Sequence, residues 1–151
     1  MSYPIFKETQ KFNHVWMWIV LLAASAVMIF IAIKGIYVQL MLGESYGTNP
    51  APNSVLLITS IVSLVVGIGM PILFYFVKLE TDYTVDGIRI TFPPFIRKAK
   101  QFNWDEIDEA TIRKYKPIME YGGWGIRHGL KGKAYNTSGN MGLQLKFTNG
   151  K

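Results

Sequence analysis

The chain contains no cysteine, which excludes disulfides and thiolate metal sites and removes any argument for an oxidising compartment. Histidine is nearly as scarce. His14 and His128 stand far apart and have no ligand-like spacing, so a zinc or haem site has no ligand set and no cofactor is expected. Phosphate-binding patterns are missing too. Gly132-Lys133 has neither a glycine five residues earlier nor a following Ser or Thr, and Gly123-Trp124-Gly125 meets His128 where a dinucleotide fingerprint needs glycine. The fourth absence is the most informative: two long stretches hold no charge at all.

The chain has 151 residues, half of them hydrophobic, with 16 Lys plus Arg against 10 Asp plus Glu. Such a length suits one compact domain, or a smaller one attached to something else. Most long aliphatic runs lie before residue 78. Val15 to Ile33 is uninterrupted by charge and bounded by His14 and Lys34. As a helix it would measure roughly 28 Å, close to the hydrocarbon thickness of a bilayer. A buried helix of a soluble core would show a polar stripe at helical period, and none is present. Lys7, Lys11 and the small triplet Ala24-Ser25-Ala26 imitate a signal peptide. The triplet sits mid-run with apolar residues behind it, so the segment reads as an uncleaved anchor.

Val55 to Val77 is the second uncharged span, long enough to cross with some tilt. Thr59, Ser63 and Gly67 recur at intervals of four and form the expected helix-packing face. Gly67, Gly69 and Pro71 predict a local bend. A discontinuous transporter helix is disfavoured because neither span holds an ionisable residue. Residues 34–54, rich in Gly, Pro and Asn, read as a loop whose only acidic charge is Glu44. Basic residues flank the hairpin outside: Lys7 and Lys11 before it, Lys78, Arg89, Arg97, Lys98 and Lys100 after it. The positive-inside rule then places both termini in the cytoplasm and the loop across the membrane. Lys34 dissents at an expected helix end, where it can reach the interface. Trp16, Trp18, Tyr37 and Tyr75 fit an interfacial aromatic belt. The expected organisation is a cytoplasmic segment 1–14, a transmembrane helix 15–33, a loop 34–54, a second transmembrane helix 55–77 and a cytoplasmic β domain 78–151.

After Lys78 the hydrophobic period becomes two. Tyr83 to Phe92 carries Asp86-Gly87 between strand-forming runs, the strongest short hairpin signal. Ile88, Ile90 and Phe92 should share one face, and Pro93-Pro94 should end the strand. Arg97 to Lys100 reads as a basic loop. Asn103 or Asp105 is placed to cap a short helical turn with Trp104 and Ile107 beneath it. Strands are expected over Ala110 to Tyr115, near Ala134 to Thr137, and around Leu143, Leu145 and Phe147. Turns are expected at Lys131 to Lys133 and at Ser138 to Asn140. Asn149-Gly150 is itself a hairpin signal, so the expectation is a sheet with an open edge, either a fragment or completed by a partner strand.

Candidate chemistry is thin. Asp105, Glu106, Asp108 and Glu109 form an acidic cluster that reads as a solvated turn before it reads as an acid–base pair. Arg97, Lys98 and Lys100 are the candidate contact for anionic phospholipid headgroups, preferred to nucleic acid because the domain is already tethered at a bilayer. The stretch Tyr121 to Gly129 packs glycines, Trp124, Arg127 and His128 together. It reads as a bulged corner of a bent sheet, with Trp124 turned inward, and Arg127 and His128 as candidate ligand or partner contacts.

Two apolar spans, then Tyr-Thr-Val-Asp-Gly-Ile-Arg-Ile at 83–90 and Phe-Asn-Trp-Asp-Glu-Ile at 102–107, resemble small bacterial membrane proteins that carry a pleckstrin-homology-like domain. Tyr121 to Arg127 and Gly132 to Asn136 are similar to an uncharacterised branch of that group. The resemblance implies a membrane α + β protein: a transmembrane helical hairpin followed by a small, PH-like, bent antiparallel sheet or partly open barrel. Its last strand and C-terminal helix are missing here, which fits a fragment. Phosphoinositide binding by eukaryotic relatives of the fold is not carried over, because their basic loop does not align with this one. The expected role is a non-enzymatic inner-membrane protein presenting the module to protein or lipid. A homo-oligomer or a membrane-protein partner fits that role, and nucleic acid does not. The competing expectations are a membrane-bound enzyme using Arg127, His128 and the acidic turn, and a transporter subunit.

Overall fold

The computed structural model describes residues 4–129 and 132–148. The chain divides into two compact units. One holds the helices, residues 14–75, and the other holds the strands, drawn from residues 1–13 and 76–151.

In the helical unit, α1 (Val15–Gly35) runs on as a π-helical segment, Ile36–Met41. The two make one apolar stretch of 27 residues, and α2 (Asn53–Phe76) is another of 24, each long and apolar enough to cross a membrane. The first helix is therefore longer than the expected 15–33, and Lys34 lies within it instead of at its end. Gln39 closes the far end of the hairpin, donating through Nε2 to the Ala51 carbonyl (2.6 Å) and to Asn53 Oδ1 (2.8 Å). α2 continues through Pro71.

The two helices meet on small residues: Ser25, Ala32 and Gly35 of α1, and Ser60 and Gly67 of α2, are buried. A Cβ at Gly67 would stand 3.1 Å from Ile29 Cγ1 and 3.4 Å from the Ser25 carbonyl. The helices therefore approach closely at Gly67, where an added methyl would press on Ile29 and on the backbone of Ser25. Thr59 is corrected. It is exposed, and its hydroxyl donates back to the Val55 carbonyl of its own helix (2.9 Å). The reason is angular: at about 100° per residue, positions 59 and 67 lie roughly 80° apart around the helix, whereas 60 and 67 differ by only about 20°. Ser63 is half-buried at the margin of the contact.

In the strand unit, β1 (Pro4–Lys11), β2 (Lys78–Thr84), β3 (Gly87–Phe92) and β4 (Ile96–Asn103) form an antiparallel sheet in that order. β5 (Ile107–Lys114) pairs with β8 (Met141–Phe147), and β6 (Gly125–Gly129) with β7 (Gly132–Asn136). Among the described residues the strands thus form three antiparallel sheets that do not close into a barrel, where a bent antiparallel sheet or partly open barrel was expected. The Asn149-Gly150 turn and Lys131 lie outside the described residues.

β1 was not expected to be a strand. It pairs with β2 from Pro4↔Thr84 to Lys11↔Lys78. The expected hairpin forms, but its turn is Val85-Asp86, one residue earlier than Asp86-Gly87, and Gly87 opens β3. Gly87 accepts the close approach of β4, since a Cβ there would lie 2.0 Å from the Phe102 carbonyl oxygen. Thr84 locks the turn by donating to the Gly87 carbonyl (2.9 Å) and accepting from the Gly87 amide (3.2 Å).

Alternation sorts this sheet into two faces. Leu79, Tyr83, Ile88, Ile90 and Phe102 share one with Phe6. Ile88 and Phe92 are each 1% exposed and form the core. Phe102 meets Phe147 of β8 with ring centroids 5.3 Å apart, joining the first sheet to the second. The other face is polar. Lys7, Asp82, Arg89 and Gln101 make one transverse row of alternating character, with Arg89 donating to Gln101 (3.3 Å).

Candidate functional site

Arg97, Lys98 and Lys100 lie on β4, a strand where a loop was expected. Lys100 stands opposite Ile90 of β3, Arg97 and Lys98 lie where the register between the two strands shifts, and all three are exposed on this edge strand. Lys100 Nζ sits 5.1 Å from the Phe102 ring centroid. No ion pair or side-chain hydrogen bond engages the side chains of Arg97 or Lys98 among the described residues. Lysine and arginine along an edge strand also discourage strand-to-strand aggregation, so their placement has a structural reason as well.

The turn that feeds β4 returns toward the start of β2: the Lys78 amide donates to the Pro93 carbonyl (3.4 Å). Lys78 pairs with Glu80 at 2.6 Å, and Thr91 donates to the same carboxylate at 3.2 Å. The Lys78 hydrogen bond is the largest influence holding the Glu80 carboxyl below its ordinary range, with Lys7 and Thr91 adding to it against partial burial. Burial pushes the Tyr83 phenol up.

The glycine-rich stretch has a different construction from the one expected. Pro117–Tyr121 forms a short helix, α3, whose carboxyl end is capped by Gly122 in the left-handed region (φ 71°, ψ 19°). Proline at the first helical position and glycine just past the last were the signal that could have found it. Gly129 of β6 lies so close to α3 that a Cβ would come 2.4 Å from the Glu120 carbonyl oxygen. The stretch is therefore a helix cap followed by an edge hairpin, and not the corner of a barrel.

A polar network braces it. Arg113 pairs with Glu120 (2.9 Å) and donates to the Tyr121 hydroxyl (3.3 Å), and the Glu120 carboxylate raises the guanidinium above its ordinary value. Asn136 donates to the Tyr115 hydroxyl and accepts from the Gly125 amide, each at 2.9 Å. Tyr115, Pro117, Ile118, Met119 and Trp124 line an open groove of about 560 Å³ with Lys114 and Lys116 at its rim. Met119 is 80% exposed, so the groove is a surface feature.

Arg127 and His128 are exposed on β6. Arg127 donates to the Trp124 carbonyl of its own segment (3.0 Å), and Trp124 is half-buried at the groove. Asp105, Glu106, Asp108 and Glu109 are exposed around the 3₁₀ turn Trp104–Glu106 and the start of β5. Asn103 stands at the N-cap of the turn, Glu106 accepts from its amide (3.2 Å), and Glu109 pairs with Lys146. Trp104 is more exposed than expected, with its indole donating to the Thr84 carbonyl (3.1 Å). No hydrogen bond or ion pair among the described residues joins Arg127 or His128 to the acidic turn. No group of three potential metal ligands occurs among the described residues. Comparison with known proteins finds no family model, curated protein or solved structure that matches the chain.

Proposed function

We propose that the chain is an integral membrane protein without catalytic activity, whose helical hairpin holds a PH-like β module at the cytoplasmic face of a bacterial inner membrane for interaction with protein or lipid. One observation carries this reading. The strand before α1 is paired with the strand after α2, and Lys11 stands opposite Lys78. Three residues separate β1 from α1, and Val77 alone separates β2 from α2. A hairpin whose two outer ends are stitched together in this way delivers both to the same side of any bilayer it crosses. The basic residues on those flanks, Lys7, Lys11, Lys78, Arg97, Lys98 and Lys100 against Glu44 in the intervening loop, favour the cytoplasm for that side. The four-stranded antiparallel sheet leading through a short turn into further antiparallel strands supports the PH-like assignment.

Because the chain has no cysteine, its topology is directly testable with single substitutions. Ser45→Cys in the loop and Thr111→Cys on β5 are both at exposed positions. An impermeant maleimide should label the first in intact cells and the second only after permeabilisation. Labelling of both from the same side would show that the hairpin does not cross the membrane as proposed.

A further inference from the structure

We infer that the β3–β4 turn is a second membrane attachment, in which Phe95 enters the headgroup boundary while Arg97, Lys98 and Lys11 bind the phosphates of an anionic phospholipid leaflet. This rests on the anchor reading above and adds to it a specific lipid-facing site. Chain connectivity places the turn. Pro93 is hydrogen-bonded to Lys78, two residues beyond the end of α2. At no more than about 3.6 Å per residue, the Pro93 carbonyl is held within roughly 11 Å of that helix end, and Phe95, two residues on, within roughly 18 Å, whichever way the strands point. α2 would be about 36 Å long as a straight helix, more than the roughly 30 Å of hydrocarbon, so its ends reach the headgroups.

The side chains presented there suit such a surface. Phe95 is 61% exposed at the tip of the turn, a cost in water that an interfacial position removes. Lys11 lies in the transverse row of Lys78 and Pro93, and Arg97 and Lys98 begin the adjoining edge strand. Glu80, further along β2 from that row, is already occupied by Lys78. The surplus charge at this end is therefore positive. The opposite end of the same sheet, at Val85, carries an equally exposed apolar residue but lies about 23 Å away along the strand. It is an internal control.

The full-length chain, carrying an environment-sensitive fluorophore on a single cysteine, would be reconstituted into vesicles of phosphatidylcholine with or without phosphatidylglycerol, containing lipid spin-labelled either shallow, near the headgroups, or deep, near the acyl-chain ends. Val65→Cys, on an exposed position midway along α2, reports insertion through the deep label, and Phe95→Cys and Val85→Cys are read with the shallow one. Phe95→Cys should emit to the blue and be quenched, more so with phosphatidylglycerol, and Val85→Cys should be neither. Arg97→Gln with Lys98→Gln should reduce the quenching at Phe95→Cys to its level in phosphatidylcholine alone. If Val65→Cys is quenched while Phe95→Cys matches Val85→Cys, the inference fails and the anchor reading stands. An unquenched Val65→Cys overturns the anchor and the inference together. Quenching at Phe95→Cys that ignores both lipid charge and the glutamine substitutions overturns the phosphate-binding role of the basic residues.

Discussion

Gly87→Ala should unfold or severely weaken the first sheet. The added methyl carbon would fall 2.0 Å from the Phe102 carbonyl oxygen and 2.9 Å from Asn103 Cα, and both obstacles are backbone. No side chain can swing aside, so β4 must retreat from β3 where Gly87 faces Asn103. That retreat also strains the bonds from the Trp104 amide to the Asp86 carbonyl and from the Trp104 indole to the Thr84 carbonyl. Overpacking costs of about 1–3 kcal/mol are usual, and the unfavourable φ of 154° adds on the order of 1–2 kcal/mol. A total of about 2–5 kcal/mol is a large share of the roughly 5–15 kcal/mol that stabilises a domain. For a unit of roughly 60–100 residues it corresponds to a fall in melting temperature on the order of 10 °C or more. Intrinsic fluorescence of the detergent-solubilised chain during heating would follow it, because Trp104 sits on the affected turn. The comparison is Val85→Ala, two residues away but 70% exposed, which should cost little. A Gly87→Ala protein that melts within a degree or two of the parent would refute the close approach of β3 and β4.

Two further outcomes follow from the same geometry. Gly67→Ile should weaken the association of α1 and α2 by about 1–3 kcal/mol, read by detergent-induced unfolding, whereas Thr59→Ala should stay within about 0.5 kcal/mol; the reverse order would restore the 59–63–67 face. Glu80 has a folded-state pKa below its ordinary value of 4.5, so its contribution to stability is fully present above that pH and is lost as pH falls toward the lower folded value. Lys78→Gln should flatten this acid limb in a denaturation series across pH, and an unchanged limb would assign it to other carboxylates.

The features legible in the sequence were those with a strong local signal. Two uncharged apolar runs gave the helices, and Asp86-Gly87 between alternating residues gave the β2–β3 hairpin. What escaped notice lacked such a signal. β4 reads Ile-Arg-Lys-Ala-Lys-Gln-Phe-Asn, and an edge strand exposed along most of its length has no alternation to display. β1 is largely polar, and its partner lies beyond both helices, so only a long-range contact makes it a strand. α3 has its proline and glycine in the right places but is a five-residue helix, too short for a hydrophobic period. Thr59 was misplaced because an interval of four drifts around a helix, while the observed contact follows an interval of seven. Of the candidate contacts, the exposure of Arg97, Lys98, Lys100, Arg127 and His128 was foreseeable from their charge. The turn at Pro93, which bonds back to Lys78, was not.

The pairing of β1 with β2 also orders events during synthesis. β1 emerges first, yet its partner is roughly 70 residues behind it, so at about 5–20 residues per second it waits several seconds with nothing to pair against. Both apolar helices are made in that interval. The first sheet can thus be completed only after both helices have been made, and β1 acts as a timer that withholds the finished sheet until then. For the same reason a segment beginning at residue 76 would carry β2 as a bare edge. A soluble form of the unit would need residues 1–13 rejoined to it through a short linker.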